Sequence, residues 1–269
     1  MRHFPLLLSL ALSLPSVAAT YYVSATGNDS NNGTSQATAW RTIARVQQNG
    51  ATFQPGDQIL FQRGGTFPGH LTINSNGSAA APIVIGSYGT GALPEISGAN
   101  NITGWTTHQG NIWKANVAQA VKYVRVNDAL MTLARYPNTG WLRVNTASTT
   151  QLTSASLTQA SGYWAGARLV LRSTNWCYEN AEISGSGSGA LAFPAITYNP
   201  GNHQWGFFLC NKLSELDSPG EWFHDAAAGV LYLWAPGNAN PNNVNVQASV
   251  HENGVEIGWL KQYVTIQDL

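Results

Sequence analysis

Residues 56–67, "GDQILFQRGGTF", carry a short apolar run that stops at two glycines. Such a run favours a strand, and the glycines favour a tight turn after it. Similar segments follow, with no room for a helix between them: "GHLTINSNGS" (69–78), "APIVIGSYGTG" (81–91) and "LPEISGAN" (93–100). Short strands joined by brief turns are typical of a parallel β-helix, in which successive coils stack their strands. An antiparallel sandwich would give a similar pattern, so periodicity alone leaves both folds open.

The stretch before these strands, "YYVSATGNDSNNGTSQATAW" (21–40), joins an apolar run to a polar loop. The residues at the spacing of the first calcium ligands of a metal loop are Asn28, Ser30 and Asn32, followed by Gly33. However, Ala39 takes the place of the bidentate Glu, and Asp29 is the one charged residue between them. We therefore predict a tight connection whose Asn, Ser and Gly residues satisfy their own backbone, and no metal site.

One helix is predicted directly after this loop, over residues 39–48. Trp40, Ile43 and Val46 give partial helical spacing, Thr38 can cap the first turn, and Asn49-Gly50 ends the pattern.

The first nineteen residues have the pattern of an export signal: an arginine, an apolar run over residues 4–14, and small residues at 17–19. No later segment has about 18 uninterrupted apolar residues, so no membrane span is predicted. We expect a secreted or periplasmic protein and a monomer.

Charged residues make up 10% of the chain, against roughly 25% in typical globular proteins, and the formal net charge is zero. This balance gives no support for nucleic acid or anionic membranes as partners. With ten tryptophans and many Gly, Asn, Ser and Thr residues, the chain suits an uncharged, polyhydroxylated partner, although most of the tryptophans are expected in the core.

The regular spacing ends near Trp105, and longer tryptophan-rich segments continue to Val250. The coil-like pattern then resumes in "GVEIGWLKQYVTIQDL" (254–269). This organisation predicts a signal peptide (1–19), an N-terminal cap with the first coils (20–104), an inserted β-rich subdomain (105–250) and a resumed coil (251–269). Within the subdomain, residues 221–225 and 230–234 are predicted to pair as a hairpin.

Several of these segments resemble exported right-handed parallel β-helix proteins, notably polysaccharide lyases of the chondroitinase B and alginate lyase type within the pectate lyase-like superfamily. The segments are residues 21–46, 56–67 and 82–89, and "ARYPNTGWL" (134–142) and "DSPGEWFHDAAAGVLYLW" (217–234) resemble the inserted β region of that superfamily. The resemblance implies an all-β fold: a right-handed parallel β-helix whose open end is covered by an N-terminal cap and helix.

The resemblance also implies that the catalytic base, the substrate arginines and any calcium ligands come from central coils, which would follow residues 263–269. We therefore assign no catalytic residue, expect this chain to be an inactive amino-terminal portion, and see no cofactor in it. Calcium stays open for the full-length protein.

Three residues are candidates for binding a polysaccharide. Arg135 could pair with an acidic sugar, and Trp141 or Trp176 could stack on a pyranose ring. The structural alternatives are hydrogen bonds from Arg135 to loop carbonyls and packing of each tryptophan.

The densest acidic cluster supplies candidates for a glycosidase acid and base. Glu221 and Asp225 are the pair of interest, with His224 beside them and Glu215 and Asp217 shortly before. An ordinary surface hairpin would show the same mixture of residues.

Cys177 and Cys210 are the only cysteines of the chain. In an oxidising compartment they are predicted to form a disulfide, and two buried free thiols are the alternative.

Two functions remain in view. The first is an exported carbohydrate-active protein, a polysaccharide lyase or glycoside hydrolase acting on extracellular polysaccharide. The second is a non-catalytic glycan-binding or adhesive β-solenoid.

Overall fold

The computed structural model describes residues 17–201 and 203–269. Residues 1–16, which hold most of the predicted export signal, lie outside the described residues. The described chain is almost entirely β, which confirms the all-β class. No helix in that part of the chain is long and apolar enough to cross a membrane.

The regular elements of the first hundred residues are these: β1 (Thr20–Val23), α1 (Ile43–Gln48), β2 (Gln58–Gln62), β3 (Thr66–Pro68), β4 (Leu71–Ile73), β5 (Ile83–Tyr88), β6 (Glu95–Ser97) and β7 (Ala99–Asn101). Short 3₁₀ turns cover Gln36–Thr38, Leu213–Glu215, Pro236–Asn238 and Pro241–Asn243.

The remaining strands are short and follow in quick succession. They are β8 (Thr106–Gln109), β9 (Ile112–Asn116), β10 (Val124–Val126), β11 (Ala129–Leu130), β12 (Thr132–Leu133), β13 (Arg135–Tyr136), β14 (Leu142–Arg143), β15 (Thr146–Ala147), β16 (Gln151–Thr153) and β17 (Arg168–Arg172). They continue with β18 (Tyr178–Glu182), β19 (Gly185–Gly187), β20 (Ala190–Ala192), β21 (Gly206–Cys210), β22 (Glu221–Asp225), β23 (Val230–Trp234), β24 (Val246–Ser249), β25 (Val255–Ile257) and β26 (Val264–Ile266).

The chain divides into two compact units. Unit 1 comprises the described residues up to Ala99 together with His251–Leu269, and unit 2 comprises Asn100–Val250. In unit 1 the strands pair in parallel, in the order β1-β2-β5-β26, with β3 on β6 and β4 on β25. Residues 57–98 therefore form parallel stacks, as predicted, and not the antiparallel hairpins of a sandwich.

The core of unit 1 lies inside these stacks. Alternate residues of a strand point to opposite faces, and the inward ones, such as Ile59 and Phe61 on β2 and Ile83 and Ile85 on β5, are fully buried. The helix α1 adds Ile43 and Val46 to the same cluster.

The helix is shorter than predicted and begins at Ile43 with Thr42 as its N-cap, whose hydroxyl accepts a hydrogen bond from the Arg45 N–H. Asp29 sets this start. Its carboxylate accepts hydrogen bonds from the Arg41 and Thr42 N–H groups at 2.7 and 2.9 Å and from the Thr42 hydroxyl at 2.7 Å. Trp40 instead forms a β-bridge with Val23.

The polar loop over this core is built from Asx turns. Asn28 Oδ1 accepts the Ser30 N–H at 2.9 Å, and Asn32 Oδ1 accepts the Thr34 N–H at 3.1 Å. The side-chain oxygens of Asn28 and Asn32 thus bind backbone N–H groups, as the turn interpretation predicted.

Unit 2 contains mostly antiparallel sheets, in the orders β12-β22-β23-β9-β8, β13-β21-β17-β18 with β14 also on β21, and β15-β16-β20-β19. The hairpin of β22 and β23 has the predicted bounds. We call the sheet of β13, β14, β17, β18 and β21 the central sheet.

The predicted disulfide is wrong, because Cys177 and Cys210 are both free. Cys210 lies beside Arg168 at one end of β17. Cys177 precedes Tyr178, which pairs with Arg172 at the other end. The two cysteines therefore lie beside opposite ends of β17, which are about 13 Å apart along the strand. A disulfide needs Cα atoms within about 7 Å.

Candidate functional site

The central sheet has one buried face and one open face. Leu169, Leu171, Phe207 and Leu209 point into the core beneath it and are fully buried. Because strands alternate, their neighbours point to the opposite side. The open face carries Arg135, Arg143, Arg168, Val170, Arg172, Tyr178, Asn180, Glu182, Gly206, Phe208 and Cys210.

A cavity of about 710 Å³ lies over one end of this open face. The sheet contributes Arg135, Arg168, Val170, Asn180, Phe208 and Cys210 to its lining. Other segments of unit 2 supply the rest of the wall, including Tyr123, Leu130, Trp222 and His224. Its volume and its mixture of aromatic, aliphatic and a few polar groups are those of a small-molecule site.

Two smaller cavities continue along the same face. One of about 230 Å³ is lined by Arg168, Asn180, Glu182 and Asn211 among others. The other, of about 190 Å³, is lined by Trp141, Arg143, Arg172, Tyr178 and Gly206. The open face is therefore a row of concave sites.

The predicted candidate Arg135 is held by the protein itself. Its Nε donates to the Pro137 carbonyl at 2.9 Å and its Nη2 donates to the Gly140 carbonyl at 2.6 Å, while the guanidinium lies 4.0 Å from the centroid of the Phe208 ring. Burial, only partly offset by Cys210 and Glu221, lowers the pKa of Arg135. The loop-carbonyl alternative for this residue is thus what the structure shows, although the side chain also lines the 710 Å³ cavity.

Two other arginines of the face are held in the same way. Arg172 donates to the Thr174 and Asn175 carbonyls at 3.0 and 2.7 Å and lies 4.5 Å from the centroid of the Trp205 ring. Arg143 donates to the Gln204 carbonyl at 3.4 Å. By contrast, Arg168 is exposed and makes no side-chain hydrogen bond or ion pair to the part of the protein described.

Trp141 forms a fixed aromatic platform near the other end of the face. Its ring lies 5.5 Å from that of Tyr178 and 5.0 Å edge-on to that of Phe208, and the side chain is still 45% exposed. A Cβ atom at Gly206 would lie 3.1 Å from Trp141 Cβ and 3.3 Å from Trp141 Cε3, so glycine lets the indole rest on β21.

The third predicted binding residue, Trp176, lies elsewhere. It occupies the turn between β17 and β18, is 67% exposed, and contacts Tyr198 edge-on with ring centroids 4.9 Å apart. It lines none of the three cavities described above.

The acidic pair does not have the geometry of a glycosidase acid and base. Glu221 and Asp225 are the two ends of β22, so their Cα atoms lie about 13 Å apart, and their carboxylates bind different backbone groups. The two carboxyls of such enzymes lie roughly 5–10 Å apart. Asp225 Oδ1 accepts the Ala228 N–H at 2.9 Å, which closes the hairpin turn.

Glu221 is buried and binds backbone N–H groups. Its carboxylate accepts hydrogen bonds from the N–H groups of Arg135, Asp217 and Ser218 at 3.2–3.3 Å. Burial, with a smaller contribution from the nearby Asp217 charge, outweighs these hydrogen bonds and raises the pKa of Glu221 to about 7.

The other acidic residues of the cluster also bind neighbouring groups. Glu215 is buried and accepts hydrogen bonds from the Tyr163 and Ser214 hydroxyls. Asp217 accepts from the Asn138 amide at 2.8 Å. Among the described residues, no group of three or more His, Cys, Asp or Glu side chains is placed to hold a metal ion.

Sequence reasoning missed Arg168, Tyr178 and Asn180. The alternation in "ARLVLRS" (167–173) does place Arg168 and Arg172 on one face of a strand. The pairing with β18 and β21, which makes the face, is set by tertiary structure.

Comparison with known proteins gives one curated sequence relative and several solved structures. No family model matches the chain. A segment of 77 residues, 28% of this chain, is 40% identical to a lacto-N-biosidase from Bifidobacterium longum subsp. longum and covers 5% of that protein. A solved glycoside hydrolase superposes on 94% of this chain and 50% of its own, with a TM-score of 0.72 and 19% identity.

A second solved structure, XylC in complex with xylose, superposes on 92% of this chain and 34% of its own, with a TM-score of 0.50 and 14% identity. At these identities the two structures bear on fold alone. The chain thus spans half or less of the proteins that it matches.

Proposed function

We propose that this chain is part of an exported carbohydrate-active protein of the glycoside hydrolase type. The observation that carries the proposal is the 77-residue segment at 40% identity to a lacto-N-biosidase. The fold likeness to a glycoside hydrolase over 94% of the chain is consistent with it. The apolar residues 4–14, followed by small residues at 17–19, support export.

The fold belongs to the same proposal. In unit 1, β2 pairs in parallel with β5, β3 with β6, and β5 with β26. This order supports the first coils of a right-handed parallel β-helix, in which each strand pairs with the corresponding strand of the next coil. The sequence between β6 and β25 then leaves the coils to form unit 2 and returns to them.

Hydrolysis is favoured over elimination as the reaction. The lyase hypothesis came from the sequence resemblance, whereas the relative at 40% identity is a biosidase, that is, a hydrolase. No catalytic residue is assigned, because the chain covers half of the glycoside hydrolase structure and the acids of β22 lack the required separation.

A glycan-binding function without catalysis is the second candidate. It is favoured by the open face of the central sheet, where the cavities are lined by exposed aromatic and polar side chains. Binding surfaces need no acid and base, so this candidate fits the described residues equally well.

The test is an activity assay of the 269-residue chain and of the longest reading frame that contains it. Release of reducing ends reports hydrolysis, and absorbance of unsaturated uronate reports elimination, on xylan, lacto-N-oligosaccharides, pectin, alginate and chondroitin. We expect the longer reading frame to release reducing ends without unsaturated product, and the 269-residue chain to show no turnover. Unsaturated uronate would overturn the hydrolase assignment, and glycan binding without either product would favour the second candidate.

The same assay tests the acidic hairpin. Asp225→Asn is expected to leave turnover unchanged, with Asp128→Asn as a control at an exposed carboxylate. Turnover abolished by Asp225→Asn alone would make the hairpin a catalytic centre.

A further inference from the structure

We propose that the open face of the central sheet binds an acidic glycan, with one sugar carboxylate paired to Arg168 and the neighbouring rings lying toward Trp141 and Tyr178. The proposal rests on the carbohydrate function proposed above and deepens it, because it names the substrate class and the residues that select it.

The charge of the face favours an anionic ligand. Arg135, Arg143, Arg168 and Arg172 all point to it, and Glu182 is the carboxylate that shares it. The chain as a whole has zero formal net charge. The positive charge is therefore concentrated on one face of the sheet, which favours a local anion-binding site. The low-dielectric walls of a cavity strengthen the attraction of an anion.

Arg168 is the anchor because its guanidinium is available. It lines both the 710 Å³ and the 230 Å³ cavities, beside the amide side chains of Asn180 and Asn211. Glu182 is its cross-strand neighbour on β18, but the two form no ion pair. A guanidinium binds a carboxylate through two parallel N–H donors, and the adjacent amides can donate to the sugar hydroxyls.

The state of the other arginines argues for a single carboxylate and against a highly sulfated chain. Arg135, Arg143 and Arg172 already donate to backbone carbonyls. A polyanion requires a track of free cations, whereas among the described residues of this face Arg168 is the one guanidinium that makes no hydrogen bond to the protein, and it lies beside apolar walls.

The aromatic groups give the rest of the ligand a surface. Tyr178 is 56% exposed and Trp141 is 45% exposed, and both lie near the Arg172 end of β17. That end is about 13 Å from Arg168, a span suited to a short oligosaccharide. The C–H face of a sugar ring can pack on such rings while its hydroxyls stay in water.

Binding is tested by calorimetry with the 269-residue chain. The probes are oligouronates of galacturonate, of mannuronate and guluronate, and of glucuronate, each compared with its own carboxyl-reduced form. The variants are Arg168→Gln and Trp141→Ala. Their matched controls are Arg125→Gln, an exposed arginine on β10, and Trp176→Ala, an exposed tryptophan outside the three cavities. Thermal unfolding of each variant reports that it is folded.

We expect at least one oligouronate to bind about tenfold or more tightly than its reduced form. Arg168→Gln should remove that preference and leave binding of the reduced form unchanged, Trp141→Ala should weaken both, and the controls should match the parent chain. Arg168→Lys keeps the positive charge but loses the two parallel N–H donors of the guanidinium. It should therefore retain only part of the preference for the oligouronate.

Equal affinity for charged and reduced probes, or a preference that survives Arg168→Gln, would overturn this inference and leave the proposed carbohydrate function standing. Binding of a sulfated glycan in place of all oligouronates would also overturn it. Hydrolysis of a neutral glycan without any binding at this face would do the same. The proposed carbohydrate function itself fails if neither binding nor turnover of any glycan is found, and its hydrolase assignment is tested separately by the products of the activity assay.

Discussion

Gly33 lies directly against the indole of Trp40, so that a Cβ atom at Gly33 would be 2.4 Å from Trp40 Cε2. The Trp40 Nε1–H donates to the Asn31 carbonyl at 3.0 Å, which holds the polar loop over the ring. Trp40 is itself buried in the core of unit 1. The loop that follows β1 is therefore fitted to a single aromatic side chain.

Substituting Gly33 should destabilise the fold more than its backbone conformation alone requires. Gly33 has a φ of +74° and Gly64 a φ of +77°, but a Cβ at Gly64 would have no atom within 4 Å. Gly64→Ala should cost about 1 kcal/mol, and Gly33→Ala about 2–3 kcal/mol more because Trp40 must move. Urea unfolding measures both, and equal losses would contradict the fitted loop.

Asp29 should stabilise unit 1 at neutral pH and lose this effect in acid. Although partial burial opposes it, hydrogen bonds from Thr42 and from the Arg41 and Thr42 N–H groups lower the pKa of Asp29. Since the folded pKa lies below the unfolded value, the contribution is complete above about pH 4 and disappears as pH falls through the folded pKa.

The corresponding variant is Asp29→Asn, which should lower the free energy of unfolding at pH 7 by about 1–2 kcal/mol. The difference from the parent chain should shrink toward pH 2. Asp128→Asn, at an exposed position, serves as the control, and a pH-independent difference would argue against the ionised carboxylate as the stabilising group.

Glu221 should produce the opposite pH dependence. Its pKa is raised to about 7 from an ordinary 4.5, chiefly by burial. The folded protein then binds more protons than the unfolded chain between about pH 4.5 and 7, so stability falls as pH rises through that window. Unfolding of the parent chain at pH 5, 6, 7 and 8 measures the slope, and Glu221→Gln should reduce it. The exposed Glu95→Gln should retain it, and an unchanged slope in Glu221→Gln would assign it to another group.

The two thiols should differ in reactivity. Because they form no disulfide, a reductant should leave the stability of the protein unchanged. Cys210 is buried, and burial raises its pKa despite Arg168 and Arg135 nearby, whereas Cys177 is partly exposed. Since the thiolate is the reactive form, Cys177 should be labelled in the native protein and Cys210 only after unfolding. Mass spectrometry counts the labels. A native mass lower by two hydrogen atoms than that of the reduced chain would instead reveal a disulfide.

Local sequence determined the parts of the fold that need only neighbouring residues. The apolar runs and glycine turns of residues 56–100 specify short strands, because each strand is bounded by a turn that cannot extend it. Their parallel pairing is known only from the structure. The hairpin of β22 and β23 and the Asx turns at Asn28 and Asn32 follow from the same short-range chemistry.

Tertiary structure decided what depends on distant partners. The helix starts at Ile43 because Asp29, which lies across the loop, fixes the preceding backbone. Glu221 is a buried backbone acceptor because the chain at Arg135 packs beside it. Arg168, Tyr178 and Phe208 share one face because three separate strands pair in a particular register. Alternation along one strand predicts which of its side chains point the same way. The pairing of strands that are distant in sequence decides which side chains of different strands lie together. In this chain, that pairing forms the candidate site.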